Sequence, residues 1–468
     1  MTGEAVRRLG GLSLALVMLG SVPAVASVPA AASIPAVVAP PAVVALPAAP
    51  AAQTEQAAAA PAAAKGLGME ARYDVALRLA WATGRVRLRT TIDVLNTSGS
   101  ATEQLLLNTV VASIGSMRGL SVTVDGVPVP ARRRGQTIRV PLTETLPEGG
   151  EVSVRVTFRA RLNRTTGGRD WLWSKAGGVV HMYRFIPWLS RRVPIGPRVH
   201  GEPFVTSVSP RVSVALTSDR PLVWAPTGRR VASEGLTKTF VARDVRDFNL
   251  AVSPDYRTWR GKSSDGLVDI IVHTRTTDGG RLLRLARQEL ARFRSITRVT
   301  YPYPVYRVAE SGAGLAMESP GLIWIPGARS AFDQPFLVSH ETAHQWFYAL
   351  VGNDQATDAF ADEALAEYFS RRARGVLRAS RCAQDRLDRS IHRYAPGCYY
   401  EIIYVQGALF LDKLRRDFGN ARFRRAIRAY TKEHFLGMGS NKALLEALRD
   451  EMGNRVLQRY RKRFPSLY

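Results

Sequence analysis

Two histidines stand four residues apart in "VSHETAHQWF", Val338 to Phe347, with a glutamate directly after the first. On a helix, positions i and i+4 share one face, so His340 and His344 can reach a single ion while Glu341 projects beside it. Two neutral imidazoles bind Zn²⁺ well, and a carboxylate next to the metal can take a proton from an attacking water, so the trio suits hydrolysis. Composition alone would produce the pattern in roughly one chain in a hundred of this length, so it needs a further ligand to carry weight. A catalytic zinc takes three protein ligands and keeps one position open, whereas a structural zinc takes four. Glu363, in "TDAFADEALAEYFSRRA", supplies the third. It lies in an amphipathic stretch beginning near Asp358, and the turn "VGNDQATD" would fold that helix back against the first. Glu367, one turn on, either orients a ligand imidazole from outside or is an exposed helix carboxylate. The expectation is one zinc per chain. His181, His200, His273, His392 and His434 are isolated in sequence and offer no second site.

The elements that must position these residues follow from periodicity. In "RYDVALRLAWATGRVRLRTTIDVL", apolar residues alternate from Tyr73 to Trp81 and again from Val86 to Val94, which predicts a β-hairpin. The alternation returns at Val152, Val154, Val156 and Phe158, and at Val212, Val214 and Leu216. Residues 67–255 therefore read as an antiparallel β-domain. From 256 to 468 the texture changes to a second, mainly helical domain. It opens with the strand "LVDIIVHTR" and a helix that places Leu282, Leu285, Ala286, Leu290 and Phe293 on one face. "YPYPVYRVAE" and "GLAMESPGLIWIPG" read as short strands, and beyond Gln334 the chain has helical character almost throughout, with Pro335 in a first turn. The fold class is thus α+β and multidomain.

With these motifs in place, the sequence resembles the aminopeptidase N family of gluzincin zinc metallopeptidases. The resemblance rests on "HETAHQWF", an interval of eighteen residues, and "DEALAEY" around Glu363, with "GLAMESPG" upstream, "YVQGA" downstream and "RYDVALRL" at the start of the β-domain. It spans about residues 67 to 435. It implies a thermolysin-like catalytic domain after the β-domain, with His340, His344 and Glu363 binding zinc and Glu341 as general base. Tyr404 would donate its phenol to the oxyanion; a core tyrosine is the alternative. Glu318 would pair with the free α-amino group of a peptide, and Gly314, Ala316 and Met317 would bind the peptide backbone as an added strand. Alternatively Glu318 is an ordinary edge-strand carboxylate. Ser319 and Ala364 depart from the family's Asn and Gly. No counterpart of the second amine anchor is evident in "HMYRFIPWLSRRVPIGP". The resemblance implies a short form without the large helical domain that roofs longer relatives, which would leave the site open to longer peptides. The function implied is peptide hydrolysis, with removal of N-terminal residues first, endopeptidase action second, and a noncatalytic envelope-binding protein third.

Residues 1–26 read as an export signal, with a basic start, a short apolar core and Ala24, Val25 and Ala26 before the cut. Residues 27–66 are almost entirely Ala, Pro and Val, a composition of linkers. No later segment is apolar for the ~20 residues a membrane helix requires, so work outside the cytoplasm is expected. In an oxidising compartment Cys382 and Cys398 favour a disulfide worth about 3 kcal/mol, with two unpaired thiols as the alternative. The net charge of +26 is scattered without a nucleic-acid motif, so no nucleic acid is expected; it reads as a solvated cationic surface or one attracted to an anionic cell envelope.

Overall fold

The computed structural model describes residues 68–190, 206–327, 333–383, 386–395 and 397–468. The expected signal (1–26) and linker (27–66) lie outside the described residues.

Alternation in the sequence becomes pairing in space. The strands Met69–Ala80 and Arg85–Asn96 form an antiparallel hairpin in which Tyr73 faces Ile92, Leu77 faces Leu88 and Leu79 faces Val86, all buried. A one-residue slip would turn that whole set to solvent, and each large apolar side chain gains ~1.5–3 kcal/mol from burial, so the register is fixed. Glu151–Arg161 extends the sheet with Val152, Val154, Val156 and Phe158 inward. Among the described residues this sheet has eight strands. One pairing departs from the antiparallel expectation, since Met69–Ala80 runs parallel to Val212–Ser218. Parallel neighbours need a long crossover, and the chain between these two strands is long enough to supply most of a second sheet, including Thr102–Asn108 and Thr137–Leu146.

A five-stranded sheet begins at Arg257, in the order Arg257–Lys262, Asp269–Thr274, Val305–Ser311, Leu322–Pro326, Met317–Ser319. Its three central strands are parallel. The helix Gly279–Thr297 makes the first crossover, capped by the Asp278 side chain, with Leu282, Ala286, Leu290 and Phe293 buried. Leu285 is only partly buried. Helices Gln334–Ala343, Leu365–Arg372, Gly407–Phe418, Asn420–Glu433 and Asn441–Met452 follow. The expectation of helix throughout fails between Ala373 and Cys398, where the described residues hold one short turn, Ile391–Arg393. That stretch has few apolar residues to bury. Polar contacts fasten it instead: Glu401 accepts from Arg378 at 2.6 and 2.9 Å and from the Arg381 N–H at 2.9 Å, and Cys382 is bonded to Cys398.

The β-sheet part meets the helical part through buried polar groups. Arg246 donates to the carbonyls of Thr206, Ala349 and Gly437. His181, fully buried, accepts at Nε2 from the Gly312 N–H at 3.1 Å, so its own proton sits on Nδ1, 3.3 Å from Ser174 Oγ. Burial pushes the His181 pKa down to about 3, and a second proton would face the Gly312 N–H. The unfolded chain takes up this proton near pH 6.5 and the folded chain only near pH 3, so this histidine's contribution is lost as pH falls through that window. Urea midpoints should therefore drop between pH 7.5 and pH 5, and His181→Gln should flatten the dependence; an equally steep loss in that variant would assign it elsewhere.

Candidate metal centre and active site

His340 and His344 stand at the end of the helix Gln334–Ala343, with Pro335 in its first turn. Beyond His344 the backbone widens. The Ala349 N–H bonds to the His344 carbonyl at 2.8 Å and the Val351 N–H to Trp346 at 3.0 Å, five residues back instead of four. Two further wide turns, Phe360–Ala364 and Tyr400–Gln406, carry Glu363 and Tyr404. An extra residue in a turn rotates the downstream side chains by about 100°, a way to aim them that a regular helix lacks.

The donors converge. His340 Nε2 and His344 Nε2 are 3.3 Å apart, and Glu363 Oε2 lies 3.3 Å from each. A triangle of that edge is one face of a tetrahedron with bonds of about 2.0 Å, the length zinc makes to nitrogen and oxygen. Glu363 Oε2 is buried without a hydrogen-bond partner, and so is Glu341 Oε2. The residues therefore fit a zinc ion with three protein ligands.

Carboxylates stand behind the rings. Asp362 Oδ1 lies 2.7 Å from His344 Nδ1. Glu367 Oε2 is 3.4 Å from His340 Nδ1, within ion-pair reach but not aligned as a hydrogen bond. Glu367 is fully buried, which excludes its reading as an exposed carboxylate. Its other oxygen accepts from Arg371 and from the Tyr400 hydroxyl at 3.1 Å.

Glu318, Glu341, Asp362, Glu363 and Glu367 thus crowd around two imidazoles, with Arg371 the nearest permanent cation bonded to them. Burial opposes charge on both rings, yet the carboxylates outweigh it: Glu363 and Glu367 push His340 up to about 10, and Asp362 and Glu363 hold His344 well above its usual range. Burial raises Glu341 to about 8 and Glu318 to about 6. Such a cluster calls for added positive charge.

These groups line a cleft of about 340 Å³ together with Tyr183, Phe336, Tyr399, Tyr400 and Tyr404. The Tyr404 ring stacks on His340, centroids 5.8 Å apart. Burial and then the charge of Glu363 hold its phenol protonated. Ala316, Met317 and Glu318 line the same cleft; Gly314 is exposed and does not. The regular strand is only Met317–Ser319, at the edge of its sheet, because Gly312–Gly314 turns away from the pairing.

Sequence reasoning missed Asp362, Gln355 and Arg184. Gln355 Nε2 donates to Glu318 Oε1 at 3.2 Å and to Asp362 Oδ2 at 3.1 Å, while its Oε1 accepts from Arg184 at 3.0 Å. Arg184 also bonds to the Tyr348 hydroxyl at 2.9 Å and pairs with Asp247 at 3.4 Å. Only Asp362 had a signal, as the acidic neighbour of the third ligand.

No family model matches the sequence, and no curated protein matches it. Solved structures do. A two-domain M1 zinc metallopeptidase mutant bound to L-arginine superposes with a TM-score of 0.63 at 20% identity, covering 84% of this chain and 93% of that one. The M1 zinc metallopeptidase from Deinococcus radiodurans gives 0.62 at 20%, covering 85% and 94%. A mutant from the same organism, bound to a Tyr-Ser-Ala substrate, gives 0.60 at 20%, covering 84% and 93%. The chain has the fold of these M1 zinc metallopeptidases. The M1 fold joins an N-terminal β-sheet part to a helical C-terminal region, the arrangement described above.

Ala364, next to the third ligand, abuts Gly407, next to the turn of Tyr404. A Cβ on Gly407 would lie 2.6 Å from that of Ala364. Gly407→Ala should therefore force the two turns apart and lower the thermal midpoint, by ~1–3 kcal/mol of overpacking. Adding Ala364→Gly should restore most of the loss, since the double variant exchanges one methyl for another. Equal midpoints for the single variant and the parent would show that the turns are not in contact.

Proposed function

We propose that the chain is an exported zinc metallopeptidase with a thermolysin-like catalytic domain, releasing single residues from the N-termini of peptides. The observation that carries this reading is the 3.3 Å triangle of His340, His344 and Glu363 with the unpartnered Glu341 Oε2 beside it. One zinc per chain would be held by those three residues, and when bound it supplies Lewis acidity and lowers the pKa of water. Glu341 takes the proton of the attacking water at Oε2 and delivers it to the leaving amine. Tyr404, kept protonated, donates to the oxygen that becomes negative as the carbonyl carbon turns tetrahedral. Asp362 and Glu367 orient the imidazoles from behind.

Glu318 sets the length of the cut. Oxygens of Glu318 and Glu341 lie within 4.8 Å of each other. In a peptide, the α-nitrogen and the carbonyl carbon of one residue are about 2.5 Å apart, so an ammonium on Glu318 brings the first carbonyl to Glu341. The edge strand Met317–Ser319 offers main-chain groups to the peptide behind it. Gln355 holds Glu318 from the side and ties it to Asp362. The signal-like N-terminus and the Cys382–Cys398 bridge support work outside the cytoplasm, since disulfides persist there.

Amino-acid amides, free and N-acetylated, test the reading. The free amides should be cleaved, the acetylated ones should not, and a chelator should stop turnover with zinc measured at one per chain. Glu341→Gln should retain zinc and lose at least about 10²-fold in kcat; full turnover in that variant would remove Glu341 from the chemistry. Cleavage of acetylated substrates at equal rates would favour the endopeptidase reading. Gln355→Leu should raise KM for free amides more than it lowers kcat, because Glu318 loses its lateral donor. An unchanged KM would make Gln355 structural.

A further inference from the structure

A second cleft, of about 330 Å³, lies between the strands Val223–Pro226, Arg229–Glu234 and Thr237–Ala242 and the five-stranded sheet, and shares no lining residue with the catalytic cleft. Arg307 lines it and is only 4% exposed. One terminal nitrogen of its guanidinium donates to the carbonyls of Pro226, at 2.9 Å, and Gly228. Among the described residues its other side-chain nitrogens have no hydrogen-bond partner, and no carboxylate is within ion-pair distance. Among the described residues two further arginines are buried and served differently: Arg184 has Asp247, and Arg246 has three carbonyls. The Phe240 ring lies 5.7 Å from the guanidinium carbon but supplies no counter-charge, and a buried ion without one costs several kcal/mol, so Arg307 stands in want of an anion.

Its surroundings deepen the deficit. Arg229, Arg230, Lys238 and Arg260 line the same cleft, while Asp269, its one carboxylate among the described residues, is already paired with Lys262 at 2.8 Å. His273, 4% exposed, bonds through Nδ1 to Thr258 Oγ1 at 3.0 Å, and its Nε2 is buried with no partner. Burial, then Arg260 and Arg230, bring the Arg307 pKa down to about 10, so these cations are near enough to repel one another.

We propose that this cleft is a phosphate-binding site. A planar guanidinium fork surrounded by further cations matches a multiply charged tetrahedral oxyanion, whereas a single carboxylate would leave most of the donors unused. The volume admits a phosphoryl group with a small substituent. The phosphate is free in solution or belongs to a lipid headgroup. The site gives part of the +26 charge a task that peptide hydrolysis does not, and it stands independently of the function proposed above.

Calorimetric titration of the full chain with inorganic phosphate and with pyrophosphate, at constant ionic strength, tests the free form. Sedimentation with phosphatidic acid vesicles, whose phosphomonoester can carry two charges, against phosphatidylcholine vesicles, tests the headgroup. The double substitution Arg230→Gln with Arg260→Gln, at exposed positions where folding is not at stake, should weaken binding at least about tenfold. The control pair Arg132→Gln with Arg134→Gln, exposed and outside the cleft, should change it less than about twofold. Saturable pyrophosphate binding lost in the first pair supports the soluble source, and vesicle binding alone, lost in the same pair, supports the headgroup. Absence of both, or equal losses in the two double variants, would overturn the site.

Discussion

The constraint on which this structure turns is the gathering of five carboxylates around two imidazoles in one cleft. Carboxylates confined at such distances repel, and burial worsens the repulsion by removing water. The molecule answers with fixed partners where it can, Arg371 on Glu367 and Gln355 between Glu318 and Asp362. Glu341 and Glu363 each keep a buried oxygen without a partner, and Glu318 has only a neutral amide beside it; under the proposed reading these are the groups that would face a water, a metal ion and an ammonium. The charge that makes the site costly to assemble is thus the charge that selects its ligands.

Holding that arrangement requires both parts of the chain. The helix Gln334–Ala343 and its cap His344 contribute three of the groups, but their aim depends on the wide turns beyond it and on a second helix packed against it. Arg184, Asp247 and Asn249 come from the β-sheet part and reach Tyr348, Gln355 and Ser319. The β-sheet part is therefore a structural wall of the cleft as well as its neighbour in sequence.

Periodic features were legible in the sequence. The hairpin from Met69 to Asn96, the helix from Gly279 and the i, i+4 histidines each repeat at a spacing that reports local geometry. So did Glu363, because two packed helices with a short turn leave few places for a third donor. Three kinds of feature were not legible. The parallel pairing of Met69–Ala80 with Val212–Ser218 is decided by partners far apart in the chain. The segment from Ala373 to Cys398 is held by polar contacts that have no period. Gln355 and Arg307 act through long-range neighbours: the first sits in a turn, and the second is a strand residue that the second cleft encloses.

The short span between Glu318 and Glu341 has a consequence for the course of the reaction. Under the proposed reading, each cut exposes a fresh α-ammonium on the shortened peptide, the same feature that admitted the parent, so product becomes substrate and degradation proceeds stepwise. Recognition through main-chain groups makes this erosion indifferent to most side chains. Proline, which lacks the N–H that an edge strand pairs with, becomes the natural punctuation at which it halts.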